Sequence, residues 1–437
     1  MNKHQPYDLK QMQSLPLEAK ERMSTGRIRV WYESWKRYTI YDTKTKKTRF
    51  VTHNEEPNKT GCFTKKQKKI DGKLVEVDVL VKGTQLKPTE YIEAVEDGQV
   101  YVSFSGGKDS TVLADMCARF CKRYGYKLYL LFVNTGLEYP EIQKFVKTFA
   151  EWLANTYSIE VQLDIVRPEM RFDEVLKTYG YPVISKEVSH TISGAKNSIQ
   201  KGVYSHRLCK LGVKREEYGG LADSGEYDYD SALDGSKFKQ TKWRFLLDAD
   251  FDSSATCCDV MKKRPAADYE KKTGRKPIIA TMASESMNRE NAWFKHGCNA
   301  FAASKPKSTP IAFWVEQDIY HYIKKYNTPY CSVYGNIQVK PPEGTEDGQI
   351  NVIDYLECYE PEDVLETTGC DRTGCIFCMF GIMNDGCPNR FQRLKETHPR
   401  QYEYCIGGGE MVDGKWQPSK EGLGLGKVLD YIGVKYD

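Results

Sequence analysis

The sequence predicts an α/β protein built on a doubly wound parallel sheet. Three observations carry that expectation. The run V-Y-V-S-F (100–104) is apolar and β-branched or aromatic, follows Glu96-Asp97-Gly98, and leads through a glycine turn into a helical pattern of Val112, Leu113, Met116 and Cys117. A second buried strand, K-L-Y-L-L-F-V-N (127–134), ends in T-G-L-E-Y-P and is followed by a helix at 142–157. A third strand follows at 159–166. Strand, helix, strand, helix, strand implies parallel pairing through right-handed crossovers, with ligands at the carboxyl ends of the strands.

Taken in order, residues 1–35 carry Leu9, Met12, Leu15, Leu17, Ile28, Val30, Trp31 and Trp35, which reads as one or two amphipathic helices leading into the core. Residues 36–95 change character. The basic runs K-T-K-K-T-R (44–49) and K-K-Q-K-K (65–69) alternate with short β-rich runs such as 75–81. This reads as a β-rich basic insertion in the form of a hairpin. A charge run ordinarily solvates a face; a basic arm that contacts nucleic acid is the alternative.

The nucleotide-binding α/β domain is expected over 96–335. Its centre is S-G-G-K-D-S (105–110), between a strand and a helix N-terminus. Two glycines let the backbone approach an anion, and the unpaired first N–H groups of the helix point at it. Lys108 adds a point charge, and Ser105 and Ser110 add hydroxyls. The pattern is a phosphate cradle, though not the G-x-x-x-x-G-K-[ST] loop of ordinary NTPases. A plain glycine turn with a capping Ser or Asp is the bland alternative, and the coincidence of lysine, two serines and the strand-to-helix setting speaks against it. Asp109 suits a Mg²⁺ ligand and equally a first-turn acid favoured by the helix dipole; the two roles are compatible.

Beyond the third strand, Lys186, His190, Lys196, Lys201, His206, Arg207, Lys210, Lys214 and Arg215 scatter through a helical-looking segment. They suit either an anionic substrate or an ordinary helix surface. An acidic, Tyr- and Gly-rich loop follows at 225–234. Residues 277–289 read as a strand into a polar loop, and 310–334 as a strand, a capped helix and a Pro turn. Residues 336–437 form a Cys-rich region with a helix at 390–404. Cys405 lies in the hairpin-like Y-C-I-G-G-G-E-M-V and reads as a small buried hydrophobe.

The chain has 437 residues, 40% of them hydrophobic, which is ample for a real core. A net charge of +4 is too small to argue for nucleic acid by itself. No apolar run approaches a membrane span and the N-terminus does not read as a signal peptide, so no membrane partner and a cytoplasmic location are expected. Fourteen cysteines in that setting point to metal or redox chemistry rather than structural disulfides. Cys257 and Cys258 are adjacent, and neighbours on a helix point about 100° apart; their use as a pair suggests a metal cluster wrapped by a turn. Cys375 and Cys378 form a C-x-x-C, with Cys370 just before and Cys387 just after. A C-x-x-C alone is compatible with zinc, redox chemistry or coincidence.

The loop S-G-G-K-D-S resembles the PP-loop of the adenine-nucleotide α-hydrolase-like superfamily. The order C-C, then T-x-x-x-E-S-x-x-R (281–289), then W-x-x-x-D-I-x-x-Y-I with P-Y, then G-C-x-x-C resembles the phosphoadenylyl sulfate (PAPS) and adenylyl sulfate (APS) reductase family over roughly 96–380. The resemblance implies an adenine nucleotide, ATP or PAPS/APS, at Ser103, Ser105, Gly106, Gly107, Lys108, Asp109 and Ser110. The adenosine would lie at Asn134, Thr135 and Gly136, with Glu285, Ser286 and Arg289 on substrate phosphate or sulfate; Arg289 would be bidentate there, or simply pair with a structural carboxylate. It further implies one [4Fe–4S] cluster on Cys257, Cys258, Cys375 and Cys378, for which four thiolates are suited. The rival ligand set is Cys370, Cys375, Cys378 and Cys387, holding zinc or iron–sulfur. Lys262, just after the C-C pair, would be a positive neighbour to cluster and substrate, or simply a surface lysine.

Two departures from the reductases stand out. They carry a nucleophilic cysteine in a mobile tail, whereas here the last cysteine is Cys405. They also tend to have a degenerate loop, whereas this one is complete, which suits Mg-ATP. The pattern is then similar to the phosphorothioation-type sulfurtransferases and tRNA thiolases. The expected function is ATP-dependent, pyrophosphate-releasing sulfur transfer that draws on a sulfur donor protein or thiol, with Lys108, Asp109, Ser110, Lys262 and Arg289 in catalytic roles. The alternatives are a thiol-dependent PAPS/APS reductase and a non-catalytic nucleotide-binding subunit of a nucleic-acid modification complex.

Overall fold

A computed structural model of the chain describes residues 4–61, 63–70, 73–80, 84–222, 239–340 and 363–437. The loop expected at 225–234 lies outside these residues. In chain order the elements are α1 (Pro6–Gln13), α2 (Leu17–Ser34), β1 (Lys36–Asp42), β2 (Lys47–His53), β3 (Phe63–Ile70), β4 (Lys73–Leu80), β5 (Glu90–Glu96), β6 (Val100–Ser103), α3 (Lys108–Tyr124), β7 (Leu128–Val133), α4 (Pro140–Tyr157) and β8 (Val161–Val166). There follow α5 (Phe172–Tyr179), α6 (Lys186–Gln200), α7 (His206–Lys210), α8 (Arg264–Thr273), β9 (Lys276–Ile279), α9 (Met287–His296), β10 (Asn299–Ala300), β11 (Lys307–Ser308) and α10 (Glu316–Tyr326). The last elements used below are β12 (Ile337–Val339), β13 (Leu365–Thr367), α11 (Arg390–Thr397), α12 (Pro399–Ile406), β14 (Glu410–Val412) and β15 (Lys415–Gln417).

By its contacts the chain forms two compact units. The first comprises residues 1–134, 139–166 and 266–373. Its centre is a six-stranded sheet of order β10-β11-β9-β6-β7-β8. All neighbours are parallel except β10 on β11, so this is the expected parallel-sheet α/β fold. Alternation along the strands sends Val100, Val102, Leu128, Leu130 and Phe132 into the main core with α3 and α4, and sends Tyr101, Tyr129 and Leu131 to the other face against Tyr269 of α8. Chain order runs outward from β6 to β7 and β8, then returns to place β9 on the other side of β6. The loop after β6 therefore sits at a topological switch point, where open α/β sheets bind ligands.

The helices expected at 1–35 are α1 and α2. Ser24 of α2 accepts from Trp314 Nε1 at 2.9 Å and donates to the Pro310 carbonyl at 3.0 Å, and Lys20 forms a buried ion pair with Asp318 at 2.8 Å. Three details differ from expectation. Residues 36–96 form a three-stranded antiparallel sheet, β2-β1-β5, with β3-β4 as a separate hairpin; β5 pairs β1 across the intervening segment. Residues 310–313 are turns rather than a strand, and the only ladder pairing near them is β11. The helix expected at 390–404 is two helices, α11 and α12, broken where His398 precedes Pro399.

The second unit comprises residues 135–138, 167–265 and 374–437. It holds α5, α6, α7, α11 and α12 and the hairpin β14-β15. Tyr181 is buried, packs edge-on against Phe251 at 5.9 Å and donates to the Leu423 carbonyl at 2.8 Å. Cys405 lies on α12 rather than in a hairpin. It is fully buried, as a small hydrophobe should be, and burial pushes its thiol well up. No helix among the described residues is long and apolar enough to cross a membrane.

Candidate functional site

The first unit builds the phosphate loop. The N–H of Ser105 donates to Ser110 Oγ at 3.2 Å, the two serine oxygens lie 3.0 Å apart, and Ser110 donates to the Gly107 carbonyl at 2.9 Å. These bonds fold residues 105–110 back on themselves at the N-terminus of α3. Gly106 has φ +74°, and a Cβ there would stand 2.9 Å from Ile142 and 3.0 Å from Val146 of α4, so both backbone and space demand glycine. A Cβ on Gly107 would meet Thr373 Oγ1 at 3.0 Å. Ser103 is the last ladder residue of β6, between Leu131 and Ile279.

Lys108 is buried. Its ammonium contacts Glu316 Oε1 at 2.9 Å and the Asp371 carbonyl at 2.7 Å, and its N–H donates to Tyr334 Oη at 3.1 Å. Asp109 beside it has a buried Oδ1 with no hydrogen-bond partner. Burial pushes its carboxyl up to about 6; Lys108 works against that shift, and the charges of Glu285 and Glu316 add to it. Behind the loop, Asp115 of α3 is fully buried and accepts from Tyr157 at 2.6 Å, Tyr322 at 2.7 Å and Arg119 at 2.9 Å. That network ties α3 to α4 and α10 and fixes the helix whose N-terminus carries the loop.

After β9 the chain forms a short 3₁₀ turn (Ala283–Glu285) and then α9, so Arg289 lies on a helix and not in the expected polar loop. Glu285 accepts from the Met282 N–H at 2.8 Å and ion-pairs with Arg289. In this state the two residues assigned to substrate anion hold each other. Ser286 is the N-cap of α9.

The second unit contains both cysteine pairs. Cys257 and Cys258 open a helical stretch instead of the expected turn, and residues Asp259–Lys263 form a π-helical turn. The cause is Pro265. It has no N–H for the ladder, and the Arg264 N–H reaches back five residues to the Asp259 carbonyl. The segment with C-x-x-C is fixed by Ile376 N–H to the Leu137 carbonyl at 2.9 Å and Gly381 N–H to the Ile184 carbonyl at 2.7 Å. Arg390 donates to the carbonyls of Cys378 at 3.0 Å and Phe380 at 3.1 Å.

The four thiols act on one another. A hydrogen bond from Cys257 lowers the Cys258 thiol against the opposing effect of burial, and the charges of Lys186 and Lys262 help. Cys257 is raised by the same bond and by burial. Burial pushes Cys375 up to about 11, opposed by Lys262, and raises Cys378, opposed by the Phe380 N–H and by Arg390. Burial alone would lower the Lys262 ammonium; Cys375, Glu138 and Cys258 raise it on balance. Among the described residues, no three or more His, Cys, Asp or Glu side chains are spaced to hold a metal ion. Of the rival ligands, Cys387 is exposed, and Cys370 belongs to the first unit, its sulfur 3.1 Å from the Arg372 carbonyl and 3.7 Å from Tyr139 Oη.

Thr135, Gly136 and Glu138 make a closed turn. Glu138 accepts from the Thr135 N–H at 3.1 Å and its hydroxyl at 2.6 Å, and Gly136 takes φ +74°. Asn134 donates its N–H to the Val166 carbonyl at 2.8 Å, extending the sheet. The residues that sequence reasoning missed are Glu316, Tyr334, Asp371 and Thr373 around Lys108, and Lys186 as a partner of Cys258. Glu316 falls at an unspecified position of the W-x-x-x-D-I-x-x-Y-I pattern, and Tyr334 lies just after its P-Y. Nothing in their spacing points to Lys108.

A comparison with family models matches the phosphoadenosine phosphosulfate reductase domain over residues 99–210 and 224–379, more than half of the chain. The match spans the phosphate loop, the C-C pair and the C-x-x-C. No curated protein matches the chain.

Proposed function

This chain belongs to the phosphoadenosine phosphosulfate reductase domain family, whose members use adenine nucleotides, and we propose that within it the protein is an ATP-dependent, pyrophosphate-releasing sulfur transfer enzyme. The observation that carries the reading is the complete loop, with Lys108 as a buried cation and Asp109 holding out a carboxylate oxygen that has no protein partner. A buried carboxylate at a helix N-terminus, disfavoured as an anion by burial and by neighbouring acids, gains most from a divalent cation. Mg²⁺ arriving with ATP fits that place.

An acceptor oxygen attacks the α-phosphorus of ATP. The bond to the bridging oxygen breaks, and pyrophosphate leaves with the electron pair. The Lys108 ammonium and the N–H groups of Asp109 and Ser110 at the start of α3 steady the departing charge, and Asp109 would hold the Mg²⁺ that comes with the nucleotide. A sulfur nucleophile from the donor then attacks the acceptor atom that bears this oxygen; the bond to sulfur forms, the bond to oxygen breaks, and AMP departs with the acceptor oxygen. Much of the rate comes from positioning, which the Asp115 network and the Ser105–Ser110 bonds supply.

Cys257, Cys258, Cys375 and Cys378 would hold a [4Fe–4S] cluster. The fit rests on the donor set: four mutually interacting thiols in one unit, with Lys186 and Lys262 to offset thiolate charge. Such a cluster supplies electron transfer or a place for sulfide when bound. Lys262 keeps its charge between Cys375 and Glu138 and so orders the thiolates and the 135–138 turn together. Cys405, buried with its thiol raised, is not suited to be a reductive nucleophile.

The test is a set of anaerobic binding titrations of Mg-ATP, PAPS and APS against the iron-loaded protein, with Lys108→Ala as control, followed by ATP–pyrophosphate exchange with candidate acceptors. Tighter Mg-ATP binding that is lost in Lys108→Ala supports the adenylating reading. Tighter PAPS or APS binding with little response to Mg-ATP overturns it.

A further inference from the structure

Lys108 is already occupied by the chain's own groups. Glu316 Oε1 lies 2.9 Å from its ammonium and the Asp371 carbonyl 2.7 Å. The rings of Tyr320 and Tyr334 stand 5.5 and 5.4 Å away. Glu316 is thus a carboxylate standing where a phosphate oxygen would meet the lysine. The pair is lopsided: the Lys108 side chain is 5% exposed and that of Glu316 is 50% exposed. Turning the half-exposed glutamate out into water desolvates no carboxylate but uncovers the buried ammonium, so the exchange is favourable only when an incoming anion takes its place. Glu316 is also the first residue of α10, where a helix favours negative charge, and it accepts from Tyr320 Oη at 3.2 Å.

We propose that Glu316 is a specificity-determining residue: it neutralises Lys108 and yields only to a ligand that brings more than one phosphate group. The inference rests on the reading that nucleotide phosphates bind at this loop. A single phosphate group at Lys108 merely replaces one carboxylate with another anion and gains little. A polyphosphate meets the Lys108 ammonium and the N–H groups of Asp109 and Ser110 at the start of α3 at once, and its Mg²⁺ would meet Asp109; that sum displaces the glutamate. The loop therefore favours Mg-ATP and pyrophosphate over AMP and inorganic phosphate.

The experiment is isothermal titration of the full chain with Mg-ATP, Mg-pyrophosphate, AMP and inorganic phosphate. The proteins are the wild type, Glu316→Gln, Glu316→Asp, Lys108→Ala and the double variant. Freeing the lysine should tighten AMP and phosphate binding of Glu316→Gln by about tenfold, the usual size of one charge-assisted contact, with a smaller change for Mg-ATP. Glu316→Asp should recover part of the selectivity, and Glu316→Gln should change nothing once Lys108 is alanine. A uniform change for all four ligands overturns the proposal, as does a loss of selectivity that persists without Lys108. If the wild type binds Mg-ATP but Glu316→Gln leaves the ATP-to-AMP ratio unchanged, this inference alone falls. If the wild type binds neither Mg-ATP nor pyrophosphate, the functional reading falls and this inference with it. Thermal unfolding of Glu316→Gln, near-isosteric at a half-exposed position, confirms that a folded protein is being compared.

Discussion

The phosphate loop takes its shape from consecutive residues, whereas the two cysteine pairs come from stretches more than a hundred residues apart. The loop needs only its own serines and glycines to close, and its supporting network enters from behind through Asp115. The cysteine pairs need a helix opening at residue 257, which also carries Lys262, a segment pinned by the Leu137 and Ile184 carbonyls, and Lys186 from a further place. The electrostatics are mirror images. One site buries an ammonium and surrounds it with carboxylate and carbonyl; the other buries sulfur and surrounds it with ammonium. Burial penalises whichever form is charged, so each site is furnished with the opposite sign. The contrast teaches that a local motif and an assembled site follow the same physics and fail in different ways.

The largest effect should come from breaking the assembled site. Cys257→Ser or Cys378→Ser should abolish iron incorporation on anaerobic reconstitution while leaving Mg-ATP affinity within about twofold of wild type, a difference well below one charge-assisted contact. Iron analysis and visible absorption measure the first, titration the second; full iron content in both variants would remove these residues from the ligand set. Next in size is the scaffold behind the loop. Asp115→Ala strands two tyrosine hydroxyls and a guanidinium and should cost about 3–5 kcal/mol in denaturant unfolding.

Asp109→Asn acts in the opposite direction. A carboxyl raised to about 6 in the folded state, against about 4 unfolded, binds extra protons only when folded. Stability therefore falls as pH rises between those values, and the cost is complete above about 6. With chelator present, Asp109→Asn should be more stable than wild type by about 3 kcal/mol at pH 8 and equal to it below about pH 4. A pH-independent difference would show that Asp109 is not the cause. The smallest effect is expected at exposed Cys387: Cys387→Ser should leave iron content unchanged and stability within about 0.5 kcal/mol. Loss of iron there would restore the local ligand set.

Much of the first unit was legible in the sequence because its signals lie close together. Apolar runs, glycines and helical spacing over 100–166 announce β6, α3, β7, α4 and β8 within a residue or two. What was hidden depends on long-range closure. Tyr334 and Thr373 meet the loop across more than two hundred residues, and no local pattern encodes that. The pairing of β5 with β1 was invisible for the same reason, since a hairpin intervenes between them. For Arg289 the sequence leaves open a substrate anion or a structural carboxylate; the structure pairs it with Glu285, which lies before the N-cap Ser286 and so outside its helix. The cysteine pair is expected in a turn because adjacent side chains diverge on a helix, yet it opens a helical stretch, with Cys258 at φ −66° and ψ −30° and the π-helical turn beginning only at Asp259.

That turn amounts to one surplus residue stored in a helix. Deleting one residue between Asp259 and Lys263 would let the backbone resume an ordinary helical ladder with Cys257 and Cys258 still in phase with the residues from Arg264 onward, because this turn uses five residues where an α turn uses four. The same deletion in an ordinary helix turns one flank by roughly 100° against the other. The stretch from Cys258 to Pro265 thus carries slack in length that the helix after it lacks, and it should tolerate the loss of one residue better than that helix does.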